Sequence, residues 1–440
     1  MYKVLLISQD NIGLSMAGPG IRYFEFAKAL SKQHQVTLFI PNEVNISSSD
    51  FKIQQQTNKS LKKAIKSSDV IISQLVSPRI GLTAKINGVK IILDAYDPMP
   101  IENLEVFKFN SDPMKNHANS RILEIFKFSF TMADTFISAS TKQKDLWMGF
   151  LMSLGKITSN IYEENNTLNN LIDNVPFGLS SSPPTTSRIE DGFRKRLGIK
   201  DNDYVLLWGG GVWNWFDPLT LIRTVSEISK IRDDVHLVFM GIKHPNPHIP
   251  EMKMAHEAVA LSKELGLFND KVFFNFGWTT YEERQNYLMD ATIGVSLHFE
   301  NLETQFAFRT RILDYLWAGL PIIGTEGDYF SDLIKKADLG IVVPQNDINA
   351  VKNAVLTLID NPQRRAKIKE NISNIRPQFH WDKVVHPINQ MIDNFSKQPK
   401  KKVSLGDLSK IFLFLCRKYS PKSLYRYALT KILSFYDSYN

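Results

Sequence analysis

Cysteine is almost absent from this chain: Cys416 is the only one in 440 residues. That excludes an intramolecular disulfide and any zinc or iron–sulfur site built from cysteines. Long apolar runs are absent too. No uncharged stretch reaches the ~18 residues a membrane-spanning helix needs. The N-terminal MYKVLLIS runs straight into a strand-like segment and lacks the apolar core of a signal peptide. The expectation is a cytoplasmic protein. Most of the chain also lacks any excess of charge. Of 53 Lys/Arg and 45 Asp/Glu, ten and two fall in residues 397–440, which leaves 43 of each sign in residues 1–396. A neutral body argues against a nucleic-acid groove, so no nucleic-acid partner is expected. The net charge of +8 resides in a basic tail.

The composition, 43% hydrophobic and 22% charged, is that of a globular protein long enough for two domains. Short apolar runs alternate with helical stretches. Strands are expected at 2–8, 35–40, 69–73, 89–93 and 134–140, with helices such as Ile21–Lys32 and Ser120–Ala133 between them. The strands are nearly continuous in apolar residues, as parallel strands covered on both faces are. A stretch of linker composition, SSSPPTTS at 180–187, marks a boundary. The alternation then restarts, with strands expected at 204–208, 235–240, 271–276, 292–297, 320–324 and 340–344 and helices such as Asp217–Ile231 and Phe308–Ala318. Two βα arrays imply an α/β protein of two doubly wound, Rossmann-like domains, 1–180 and 188–378. Such folds bind ligands at the C-terminal ends of their strands, which places the site in the cleft between the two.

Two glycine-rich loops stand at equivalent places. The first strand leads to Gly18-Pro19-Gly20 and a helix; the strand YVLLW leads to Gly209-Gly210-Gly211, then VWNWF, Asp217 and Pro218. Gly18, Gly20, Gly210 and Gly211 would let the backbone approach a phosphate beside a helix N-terminus. Asp217 has the form of an N-cap, with Pro218 as the first helical residue. The plainer reading is a pair of tight turns, the second packed by Trp213 and Trp215.

The segment ENLETQFAFRTRILDYLWAGLPIIGTEG, 300–327, is the densest in charge. Arg309 and Arg311 sit where a helix begins, an unfavourable place for cations against the helix dipole unless an anion such as a diphosphate meets them. A local ion pair of Arg311 with Asp314, three residues on, is the alternative. GIKHPNPHIP, 241–250, holds Lys243, His244 and His248; a His-X3-His pair can bind metal, but nothing else here resembles a ligand set, and a rigid loop near a nucleotide is the preferred reading. LDAYDPMPIE, 93–102, holds Asp94, Asp97 and Glu102 after a strand, where an aspartate capping a turn before Pro98 competes with a catalytic role.

The string from Glu303 through Leu-Trp-Ala-Gly319-Leu-Pro321-Ile-Ile resembles the signature of the GT-B glycosyltransferases of family 4, and Gly209–Gly211 and Phe379–Ile392 are similar to that family as well. The resemblance covers residues 1–395. It implies retaining, metal-independent transfer from a nucleotide-sugar substrate, with no cofactor. Asp314 matches the acidic residue that holds the ribose hydroxyls. The other acidic position falls on Phe306, and Glu303, three residues away, is its nearest candidate. The family's Arg and Lys after the first strand of the second domain are missing from VWNWF, so Arg309 and Arg311, or Lys243, would meet the diphosphate. The expected catalytic set is Glu303, Arg309, Arg311 and Asp97. The expected donor-binding set is Gly18, Gly20, Gly210, Gly211, Lys243, Asp314 and Glu326. Residues 379–396 are expected to return to the first domain.

The tail, 397–440, opens with KQPKKK and continues with Leu405, Leu408, Phe412 and Leu415 at helical spacing among lysines and arginines. A basic amphipathic helix of this kind lies in a membrane interface. It points to an anionic membrane surface, peripheral attachment at the inner face of the cell membrane, and a glycan or polyprenyl-linked acceptor in bacterial surface polysaccharide or glycoconjugate synthesis. Ordinary packing of the tail on the first domain is the plain alternative. For the whole chain the competing functions are a nucleotide-sugar epimerase, a non-catalytic sugar-nucleotide-binding protein and a two-domain solute-binding protein.

Overall fold

The computed structural model describes residues 1–185, 192–247 and 249–396, with Gly406, Ser409 and Leu413 beyond them. His248 and, apart from those three residues, the expected basic tail lie outside the described residues.

The apolar runs form two parallel sheets. In the first domain the strands are β1 (Lys3–Ile7), β2 (Gln35–Ile40), β3 (Lys52–Gln55), β4 (Val70–Ser73), β5 (Lys90–Asp94), β6 (Thr135–Ser138) and β7 (Ile172–Asn174), in the order β3-β2-β1-β4-β5-β6-β7. In the second they are β8 (Tyr204–Trp208), β9 (Val235–Phe239), β10 (Val272–Phe274), β11 (Ile293–Ser296), β12 (Ile322–Thr325) and β13 (Gly340–Val343), in the order β10-β9-β8-β11-β12-β13. Every ladder is parallel; Val4, for example, lies opposite both Val36 and Val70. Helices cover both faces, which is why Val4–Ile7, Val70–Ser73 and Val205–Trp208 are buried without alternation. Two doubly wound domains are the architecture the sequence implies. In each sheet the order reverses beside the first strand, between β1 and β4 and between β8 and β11. Such switch points leave a crevice at the strands' C-terminal ends.

Some elements differ from the sequence expectation. β3 and β7 were not expected: KIQQ is a polar edge strand and IDN is three residues long. The helix expected from Ser120 starts at Asp112, because its first turns are polar and exposed. The first helix runs Gly18–Leu30, so Gly18-Pro19-Gly20 is its opening turn rather than a loop before it. Asp217 caps the helix Pro218–Ser229, accepting from the Thr220 N–H at 2.9 Å.

After β13 the chain covers the second sheet with the helices Ile348–Asp360 and Pro362–Ile375, then crosses back. Trp381 packs on Phe26 and Phe177 of the first domain, with ring centres 5.7 and 5.0 Å away. In the last helix, His386–Ser396, Asn389 lies 3.1 Å from His34 Nε2.

Candidate functional site

A cavity of about 420 Å³ lies between the domains and is open to both switch points. Gln9, Asp10 and Gln74 reach it from behind β1 and β4, and Gly209–Gly211 from behind β8. Two helix N-termini adjoin at its lining. A Cβ placed on Gly18 would come within 3.7 Å of Thr310 Oγ1, at the start of the helix Thr310–Ala318. Both ends present free N–H groups and partial positive charge.

The glycine loop is shaped by Tyr315 of that helix. The Gly209 N–H donates to the Tyr315 hydroxyl at 2.8 Å, and a Cβ on Gly209 would meet the Tyr315 ring at 2.9 Å. Gly210 has φ +99°, which L residues rarely adopt. The glycines therefore let Tyr315 dock under the loop and turn its backbone toward the cavity.

The charges on this wall are paired differently from the sequence expectation. Arg311 and Asp314 do not pair with each other. Arg309 holds Glu303 bidentately, at 2.7 and 2.6 Å, and both are buried. Asp314 accepts from Arg284 Nε at 3.3 Å. Arg311 donates to the Gly211 carbonyl at 2.7 Å and packs over the rings of Trp208 and Phe216, at 4.8 and 3.9 Å. It is 8% exposed, has no carboxylate partner among the described residues, and its Nη1 is unbonded. Burial, together with the neighbouring Arg309, pushes its pKa down to about 10. Burial raises the Asp314 pKa against the pull of Arg284.

The first-domain wall carries carboxylates. Asp97 follows β5 and accepts from Gln74 Nε2 at 3.1 Å. Burial lifts it to about 7; hydrogen bonds from Tyr96 and Gln74 and the charge of Arg22 oppose that, and Asp94 adds to it. Glu102, in the helix Met99–Val106, is driven well above the usual carboxylate range by burial and by the charges of Asp97 and Glu303. Beneath them Arg22 and Asp94 form a fully buried pair at 2.8 Å. At the outer edge His244 lies between Trp213 and Trp278, with ring centres 5.6 and 5.5 Å away. Burial lowers its pKa, and its Nδ1 accepts from the Asn246 N–H.

The cavity thus brings together Gly18, Gly210, Gly211, Asp97, Glu303, Arg309, Arg311 and Asp314. Three residues of the expected set lie off it. Gly20 packs against the Asn11 carbonyl, which a Cβ would meet at 2.5 Å. Lys243 is exposed on its loop. Glu326 is exposed and pairs with Lys335 at 3.5 Å. Phe306, at the strict motif spacing, offers its carbonyl to Gln143 of the first domain at 2.7 Å. Sequence reading missed Arg284, Tyr281 and Trp278, whose partners lie far along the chain and leave no local pattern. Among the described residues no cluster of His, Cys, Asp and Glu could hold a metal, and no helix is long and apolar enough to cross a membrane.

Residues 203–361 match the family described as Glycosyl transferases group 1. No curated protein is similar to the chain in sequence. Solved structures are similar in fold. Sucrose-phosphate synthase from Thermosynechococcus elongatus is 16% identical with a TM-score of 0.62. WaaG, a glycosyltransferase involved in lipopolysaccharide biosynthesis, is 13% identical with a TM-score of 0.61. Anabaena HepE in complex with UDP and glucose is 13% identical with a TM-score of 0.60. Each comparison covers 90% of this chain and 100% of the other. The chain has the GT-B fold of these glycosyltransferases, and its second domain carries the match to the group 1 glycosyl transferase family.

Proposed function

We propose that the protein transfers a sugar from a nucleotide-sugar donor to a glycan or lipid-linked acceptor, with retention and without a metal, in the synthesis of a bacterial surface polysaccharide or glycoconjugate. The observation that carries this reading is Arg311, a buried guanidinium with no carboxylate among the described residues, lining the cavity beside the glycine loop. Burying an unpaired charge is costly, and a site that keeps one is built for an anionic ligand. The helix starts at Gly18 and Thr310 add two positive ends to the same space.

Departure of a nucleoside diphosphate builds negative charge on its terminal phosphate. Arg311 and the helix N–H groups are already in place for that charge and need no reorganisation. Asp314 is the ribose carboxylate of this reading. Arg309 keeps Glu303 fixed, so Glu303 serves the donor sugar as a held hydrogen-bond acceptor rather than a free nucleophile. Asp97 and Glu102 face the acceptor. Guanidinium groups already neutralise Glu303 and Asp314, which supports metal-independent chemistry. We place the enzyme in the cytoplasm, with residues 397–440 attaching it to an anionic membrane.

A thermal-shift screen of nucleoside diphosphates and nucleotide sugars tests the donor, since a ligand at 100 times its Kd stabilises by about 2.7 kcal/mol. Donor consumption that requires acceptor supports transfer. Consumption without acceptor favours an epimerase, and binding without turnover a sugar-nucleotide-binding protein. For the tail, the full chain is expected to sediment with anionic vesicles at low salt and to release at high salt, while a chain ending at Ser396 stays in solution; equal behaviour of the two would remove the membrane from this reading.

A further inference from the structure

One edge of the cleft is closed by a second-domain loop, residues 277–283, that lies against the first domain. Trp278 Nε1–H donates to the Met16 carbonyl at 3.0 Å, and the Tyr281 N–H donates to the Leu14 carbonyl at 3.0 Å. The Tyr281 hydroxyl donates to Glu25 Oε1 at 2.8 Å. Glu25 is buried in the helix Gly18–Leu30, with Lys28 and Arg284 as the nearby cations. At the inner end of the loop stands Arg284. Its guanidinium carbon lies 3.7 Å from the centre of the Tyr281 ring and 4.6 Å from that of Trp317. It donates to the Tyr281 carbonyl and, through Nε, to Asp314 Oδ1. An unbroken line of contacts therefore runs from Glu25 in the first domain, through Tyr281 and Arg284, to Asp314 in the donor wall.

We propose that Arg284 is a positioning residue for Asp314, and that the Tyr281–Glu25 contact makes domain closure part of donor binding; this rests on the nucleotide-sugar site proposed above. An ionised carboxylate accepts hydrogen bonds from both hydroxyls of a cis-diol, and Arg284 is the cation that holds Asp314 for that task. The rings of Tyr281 and Trp317 hold Arg284 in turn, and Glu25 holds Tyr281 only while the domains are closed. Parting the domains frees Tyr281 and removes one wall from Arg284. The apparent donor affinity is then the affinity of the closed form scaled by its population.

Hydrogen exchange of residues 10–25 and calorimetric titration with UDP, GDP, ADP and TDP test this. Tyr281→Phe keeps the ring beneath Arg284 and removes the hydroxyl. It is expected to speed exchange in 10–25 without nucleotide and to weaken diphosphate binding about three- to tenfold, the scale of one hydrogen bond. Glu25→Gln keeps a neutral, weaker acceptor for Tyr281 and is expected to fall between the wild type and Tyr281→Phe in both measurements. Arg284→Lys, which keeps a cation beside Asp314, is expected to retain more affinity than Arg284→Gln at equal melting temperature. Unchanged exchange and affinity in Tyr281→Phe would overturn the latch, and equal losses in the two Arg284 variants would overturn the positioning role. A wild type that binds none of the four diphosphates, with Tyr281→Phe still exchanging faster, would overturn the donor reading and the coupling together and leave a purely structural tie.

Discussion

The two walls of the cleft meet the same cavity with opposite electrostatics. On the second-domain wall two carboxylates are matched by guanidinium groups, buried Glu303 by Arg309 and half-buried Asp314 by Arg284, and one guanidinium, Arg311, has no carboxylate among the described residues. On the first domain the buried guanidinium of Arg22 is spent on Asp94, and Asp97 and Glu102 are left with raised pKa values. The second wall is thus preset: its carboxylates are already paired with guanidinium groups and it presents one surplus cation. The first wall is titratable, and what it presents depends on the proton. A donor that brings its own negative charge suits the preset wall. An acceptor hydroxyl, which must give up a proton, suits the titratable one.

The sharpest way to break this contrast is to unpair the preset wall. Arg309→Ala leaves Glu303 buried, 1% exposed, and near Glu102 with no counter-charge of its own. Losing one partner of a buried pair costs about 3–5 kcal/mol, which urea unfolding would read as a large fall in midpoint. A double change, Arg309→Met with Glu303→Gln, is expected to recover most of it. A loss below about 1 kcal/mol in the single variant would mean that water or relaxation reaches Glu303, and that the wall is not preset.

Arg311 is expected to behave in the opposite way. Arg311→Met removes a buried cation that no carboxylate needs, so the midpoint should hold or rise. Nucleotide affinity should fall by about 1.5–3 kcal/mol, the weight of a charged hydrogen bond. A variant that loses stability and keeps its affinity would place the phosphates elsewhere in the cleft. Asp314→Asn is expected to weaken nucleoside-diphosphate binding by about 1–3 kcal/mol while the fold persists; unchanged affinity would remove Asp314 from the ribose.

These tests bear on residues of unequal legibility. The two sheets were readable because their strands are apolar on both faces, and the Gly209–Gly211 turn because glycines at a strand end mark a backbone close to something else. Arg309 and Arg311 stood out as cations where a helix begins, and Asp314 through its match to the acidic position of the resembled family. Their partners did not. Spacing suggested Arg311 with Asp314, but the helix begins only at Thr310 and turns Arg311 under the glycine loop, toward Trp208 and Phe216. Asp314 finds Arg284, 30 residues earlier, and Tyr281 finds Glu25, 256 residues earlier. Contacts made by tertiary packing leave no periodicity. Glu326 and Lys243 illustrate the reverse: one beside the motif and one in a proline-rich loop, both were expected at the donor, and both are exposed.

The smallest expected effect concerns the titratable wall. Asp97 has a folded-state pKa of about 7 against an ordinary value of 3.8. Between those values the folded protein holds the proton more tightly than the unfolded chain does. The contribution of this carboxyl to stability is therefore full below about pH 4, falls as pH rises toward 7, and is flat above it. Glu102 shifts in the same direction and feels the charge of Asp97, so the two titrate as a pair. After allowance for solvent screening, the loss between pH 5 and pH 8 is expected to be about 1–2 kcal/mol. Asp97→Asn should flatten that slope, and Asp97→Asn with Glu102→Gln should flatten it further. Arg311→Met, on the preset wall, should leave it intact. Urea midpoints at the two pH values read all four proteins. A slope that survives in the double variant would assign the proton to another group, and one that disappears in Arg311→Met would mean that the two walls are a single electrostatic unit.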